Sequence, residues 1–284
     1  MSTLRVYCDS RDRKSGSATF FEYALPYSLA IQEKSLANID VVVVPNSIQT
    51  VIAGVNDLIY LRENSQLDQV WHRTPRIAPG YYTIDTLALA VRDALNDGTK
   101  MPGEYTVVYN VRLGRLEFNN TAQRFGYFFT IFTYEVQVIA AASPAAPPIL
   151  ENGNGAWRLL GAVTGLNITV PGDQDEIPAI GNDAPNLQYA TQLFIKTSLG
   201  VAAQSVGPKG NMSINRRVVV DVPTFALVVD RHSTSWDSFQ IPGNTTISSF
   251  TVQMCDYNGS VVDLNGQSWS FSISIFREDI LNCI

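Results

Sequence analysis

Near its C-terminal end the chain reads Ser268-Trp269-Ser270-Phe271-Ser272-Ile273-Ser274-Ile275, four large apolar side chains alternating with serines. A period of two belongs to a strand with one buried and one wetted face, so the serines are expected to point to water. Upstream, residues 247–254 repeat the pattern. Phe250, Val252 and Met254 are expected in a core, with Thr251 and Gln253 facing out. Between the two runs stand Asn258-Gly259, a short apolar stretch at 261–264, and Asn265-Gly266. Asn-Gly steps supply the positive φ angles of tight hairpins, which predicts consecutive antiparallel strands here.

The same grammar covers the rest of the chain. Strands are predicted at 4–8, 18–23, 38–44, 58–62, 69–73, 105–111, 115–118, 128–138, 167–170, 189–197, 216–222 and 224–229. Many short strands with turn signals between them predict an all-β sandwich or barrel, not βαβ units. One helix interrupts them. Thr83 is placed to cap a segment in which Ile84, Leu87, Ala88, Val91, Ala94 and Leu95 share a face, and Gly98 is placed to end it. Residues 141–155, with Pro144, Pro147, Pro148 and Asn152-Gly153-Asn154-Gly155, read as a linker or loop. This divides the chain into a β-rich half, 1–140, carrying the helix at 84–96, and a second half, 156–284, completing one core. Residues 171–185, rich in Asp, Gly and Pro, form a further long loop.

Charged residues make up 16% of the 284 positions against 45% hydrophobic ones, which leaves a monomer little charge to cover its surface and predicts subunit contacts. A formal charge of −6 argues against a dedicated nucleic-acid binder. The main basic cluster is Arg5, Arg11, Arg13 and Lys14, read as a solvated loop or a partner contact. Cys8, Cys255 and Cys283 are odd in number and far apart, poor material for a disulfide framework, and read as buried small hydrophobes from a reducing compartment. With no apolar signal region and no run of ~18 apolar residues, neither secretion nor a membrane span is expected.

Catalytic vocabulary is sparse. Two histidines, His72 and His232, exclude mechanisms that need a His-rich zinc site. No Gly-x-Ser-x-Gly elbow and no phosphate-binding glycine loop occurs, and Gly153-x-Gly155 lacks its third glycine and a βαβ context. Asp173, Asp175 and Glu176 lack the spacing of a calcium loop. No catalytic residue, cofactor or metal is assigned, and the chain is expected not to be an enzyme. Trp157 and Trp236 join Arg11, Arg13 and Lys14 as candidate subunit-interface residues, because exposed aromatics anchor contacts.

The order of several short motifs carries a resemblance. Phe21-Glu22-Tyr23-Ala24-Leu25-Pro26 is followed by Val41-Val42-Val43-Val44-Pro45-Asn46-Ser47 and Leu58-Ile59-Tyr60. Ile77-Ala78-Pro79-Gly80-Tyr81-Tyr82-Thr83-Ile84 then leads into the helix. Gly114-Arg115-Leu116-Glu117-Phe118, Trp157-Arg158-Leu159-Leu160-Gly161, Asp221-Val222-Pro223 and Asp263-Leu264-Asn265-Gly266-Gln267-Ser268-Trp269 complete the series. In this the chain resembles the minor capsid, or penton, proteins of virophages, polinton-like viruses and related double-stranded DNA viruses with adenovirus-type capsids.

That resemblance implies an antiparallel jelly-roll β-sandwich with one inserted helix and long loops. It implies homopentamers at icosahedral vertices that contact the major capsid protein, with other minor capsid or cement proteins as further partners. The expected location is the virion, after synthesis in the host cytosol. A trimeric jelly-roll major capsid protein, or a lectin-like receptor- or carbohydrate-binding attachment protein, are the alternatives, since jelly rolls serve all three tasks.

Overall fold

The structure, a computed structural model, describes residues 3–64, 70–122, 127–132, 155–161, 168–169, 178–200, 213–231 and 238–277. In chain order the first elements are β1 (Leu4–Asp9), β2 (Ser15–Gly16), β3 (Phe20–Ile31), β4 (Ser35–Pro45), β5 (Tyr60–Asn64), β6 (Val70–Arg73) and α1 (Ile84–Asn96). There follow β7 (Tyr105–Asn110), β8 (Arg115–Asn120), β9 (Phe128–Phe132), β10 (Ile168–Thr169), β11 (Ala179–Ile180) and β12 (Gln192–Thr197). The series closes with β13 (Arg216–Val219), β14 (Leu227–Asp230), β15 (Phe239–Gln240), β16 (Thr245–Cys255) and β17 (Ser270–Arg277).

The contacts divide the chain into two compact units: Met1–Ile48 with Ala190–Ile284, and Gln49–Tyr189. These units do not follow the halves 1–140 and 156–284 expected from the sequence. The physical reason is non-local pairing: β17 lies between β1 and β4, which joins the far ends of the chain and leaves the middle as an insertion between β4 and β12. Of the expected linker at 141–155, all but Gly155 lies outside the described residues.

The discontinuous unit is a jelly roll. One sheet runs β1-β17-β4-β14, with β15 also on β4, and the other runs β13-β12-β16-β3-β2. All ladders are antiparallel, and two such four-strand cores facing each other hide most of their edges. Aromatic side chains fill the space between. Phe21 meets Trp269 edge-on at 6.1 Å, Trp269 stacks on Phe271 at 4.8 Å, and Tyr23 packs on Phe250. Cys8 and Cys255 are buried free thiols, and Phe250, Val252 and Met254 are buried as their alternation requires.

Three local expectations change. First, β16 and β17 do not form a hairpin. They belong to opposite sheets, and the 261–264 stretch contributes one bridge, Val261 to Cys255, before crossing over. Its carbonyls are held by Thr19 Oγ1, donating to Val262 O at 2.6 Å, and Ser47 Oγ, donating to Leu264 O at 2.6 Å. Two apolar faces are better buried across a shared core than side by side, so long strands separated by a crossover face each other.

Second, Ser272 and Ser274 are buried, not wet. The register of β17 on β4 passes from Ser272 opposite Val41 to Ile273 opposite Ile39, which leaves Asp40 as the extra residue of a bulge. Its carboxylate accepts from both serine hydroxyls, and Arg5 of β1 closes over it as an ion pair. Third, β3 continues to Ile31 through Pro26. Residues 25–28 bulge out opposite Ser248, so the proline needs no ladder partner.

The inserted unit holds two sheets, β10-β9-β5-β6 and β11-β8-β7, together with α1. The helix starts at a reciprocal capping box: Thr83 Oγ1 accepts from Thr86 N, and Thr86 Oγ1 accepts from Thr83 N at 2.9 Å. It buries Leu87, Val91 and Leu95 against Leu61, Phe129 and Leu116, and Gly98 follows it at φ 69°. Glu63, fully buried, accepts from Arg73 Nη1 at 2.8 Å, Tyr105 OH at 2.8 Å, Thr99 Oγ1 at 3.0 Å and Lys100 N at 3.1 Å. Arg73 also donates to Leu95 O and, at 2.6 Å, to Asp97 O. One ion pair thus satisfies the end of α1 and ties it to β5 and β6.

Candidate functional site

The basic residues proposed from sequence spend most of their donors within the jelly-roll unit. Arg11 grips Asp9 with Nε at 2.9 Å and Nη2 at 2.6 Å, and these hydrogen bonds hold the Asp9 carboxyl below the usual range. Arg13 donates to Ser10 O at 2.8 Å and Gly16 O at 3.1 Å. Lys14 pairs with Glu22 at 3.0 Å and holds that carboxyl low as well. These contacts fix the link from β1 to β3 around a short 3-10 turn, so the cluster is not a free cationic surface.

Trp157 lies in the other unit, half-buried against its core with the Arg158 guanidinium 4.7 Å from its ring. Trp236 and His232 lie outside the described residues, as do Asp173, Asp175 and Glu176. Of the candidate interface residues, Arg11, Arg13 and Lys14 thus belong to the discontinuous unit and Trp157 to the inserted one. His72 stands in register with Arg62 on β5 and 6.4 Å from the Phe132 ring, where burial and the neighbouring cation hold its pKa down. Among the described residues no three His, Cys, Asp or Glu side chains form a group suited to a metal ion.

What sequence reasoning missed is the outward face of the sheet β1-β17-β4-β14. In register, Val43 opposes Val229 and Pro45 opposes Leu227. Leu227 is 59% and Val229 46% exposed, and Tyr7 and Phe225 are exposed as well. An open groove of about 380 Å³ continues this strip, walled by Val43, Pro45 and Leu227 on one side and by Asp9 and Arg11 on the other, with residues 266–270 completing it. The only sequence signal was Leu227 and Val229 sharing the solvent-side parity of a predicted strand. Apolar side chains in the strip with an ion pair at its rim have the composition of a protein contact.

Comparisons with known proteins fit this picture of the fold. No protein-family model matches the chain. No curated protein matches it in sequence. A crystal structure of the selenomethionine-labelled mavirus penton protein superposes with a TM-score of 0.52 at 10% identity, covering 97% of this chain and 99% of that one. The coverage spans jelly roll and insertion together. The chain has the fold of the mavirus penton protein.

Proposed function

We propose that the chain is a structural subunit of an icosahedral viral capsid, a vertex subunit that forms homopentamers and contacts the major capsid protein. The observation that carries this reading is the near-complete mutual coverage with a penton protein, insertion included, since a jelly roll alone would suit attachment proteins equally. Physics supports it independently. Cyclic heterologous contacts cover apolar surface that a monomer leaves open, and the Leu227–Val229 face supplies such surface. Of the basic cluster, Arg11 lines the groove and is the residue assigned to a neighbour contact in this reading, with Trp157 as the corresponding candidate in the inserted unit.

The test is the mass of the purified protein in solution. Native mass spectrometry giving five times the 31.2 kDa chain mass supports the vertex role. A threefold multiple transfers the chain to the major capsomer, and a monomer at every concentration removes the ring.

A further inference from the structure

The hairpin joining β7 to β8 carries apolar side chains where turns ordinarily carry polar ones. Val111 is 82% exposed, Val108 53% and Leu113 43%. Arg112 stands between the two turn residues and Arg115 opens β8, both exposed. Among the described residues neither guanidinium has an ion-pair or hydrogen-bond partner, in contrast to Arg5, Arg11, Arg73 and Arg216. Glu117, the one carboxylate between Tyr105 and Asn120, is occupied by the Asn110 amide at 2.6 Å. A chain with a formal charge of −6 thus presents a local point that is apolar and cationic.

The tip is preformed. Asn110 O accepts from Gly114 N at 2.8 Å, Asn110 Oδ1 accepts from Leu113 N at 3.0 Å, and Gly114 takes φ 67°, which a side chain would strain. Little conformational entropy remains to be lost on docking. The turns at Asn258-Gly259 and Asn265-Gly266 are by contrast flanked by aspartates, Asp256 and Asp263, whose carboxylates accept from their backbone. A hairpin end is convex and offers no hollow for a partner's side chain. Apolar residues at its apex with cations beside them match a layered medium, hydrocarbon beneath anionic headgroups.

We propose that the β7–β8 hairpin tip docks onto an anionic lipid surface, Val111 and Leu113 entering the headgroup layer while Arg112 and Arg115 pair with lipid phosphates. The inference stands on the hairpin alone and does not require the capsid reading. A ring of copies would add avidity by presenting several tips at once.

The experiment is sedimentation of the full chain with vesicles, either pure phosphatidylcholine or phosphatidylcholine and phosphatidylserine in equal parts, titrated to high lipid concentration. Binding to the mixed vesicles alone, weakened by added salt, is expected. Arg112→Gln and Arg115→Gln should each lower it about fivefold, the equivalent of about 1 kcal/mol per basic residue. Val111→Asp with Leu113→Asp should abolish it while the melting temperature stays put, because both side chains are solvated in the free protein. Absence of binding to mixed vesicles overturns the proposal. So does binding that survives V111D/L113D, binding fully displaced by inorganic phosphate, or capture of an acidic protein in place of vesicles.

Discussion

Arg216 of β13 and Asp230 of β14 are locked in a two-pronged ion pair, Nε to Oδ2 at 3.0 Å and Nη2 to Oδ1 at 2.9 Å, and both side chains are nearly withdrawn from water. The two strands are the end strands of opposite sheets, so this pair clasps the jelly roll along one side. Removing one partner strands a buried charge, which costs ~3–5 kcal/mol. Replacing both by apolar side chains of similar size is near neutral. Arg216→Met should therefore lower chemical-denaturation stability far more than the double variant R216M/D230L. Equal losses in the two would show that the clasp is not electrostatic.

In the inserted unit Glu63 plays the corresponding part. Glu63→Gln preserves shape but leaves Arg73 without its counter-charge, and a loss of about 3 kcal/mol follows. Because Arg73 also holds the last carbonyls of α1, hydrogen exchange should accelerate first at residues 93–99. Uniform acceleration across the unit would contradict that coupling.

Burial pushes the Cys8 thiol up to about 12. The folded state therefore keeps the proton at pH values where an unfolded chain, ionising near 9.0, has lost it. Stability contributed this way is intact below pH 9 and falls as pH rises toward 12. In the native protein at pH 8 Cys8 should resist iodoacetamide and react only after denaturation, a difference that peptide mass mapping reads directly.

Leu227→Asp and Val229→Asp change side chains already facing solvent, so monomer stability should move by no more than ~0.5 kcal/mol. If the strip lies between copies, each substitution places a charge in a desolvated contact and the oligomer fraction in native mass spectrometry should collapse. Intact oligomers would shift the contact to another face.

Much of this architecture was legible in periodicity. The helix, its cap at Thr83 and its end at Gly98 were readable because the signals are local, and so was the core parity of Phe250, Val252 and Met254. Sheet membership was not, since nothing near Asn258-Gly259 or Asn265-Gly266 says that β16 and β17 part company. The serines of β17 look solvated until Asp40, more than two hundred residues away, supplies acceptors for two of them. The insertion begins after Ile48 and ends at Tyr189 with no break in composition at either point. Glu63 did leave a trace. It shares strand parity with Leu61, which marks a carboxylate turned inward, and such a residue requires a buried cation. The Leu227 and Val229 strip was readable as alternation, but its exposure depends on which sheet the strand joins.

The position of β17 between β1 and β4 has a consequence for biosynthesis. On the ribosome β4 emerges with both flanks bare, since β14, β15 and β17 are all translated later, and about 220 further residues pass before β17 follows. Through that interval Ile39, Val42 and Val44 lack the strand that shelters them, which invites mispairing between nascent chains. A chaperone that holds early strands apart would raise the yield of correctly closed subunits.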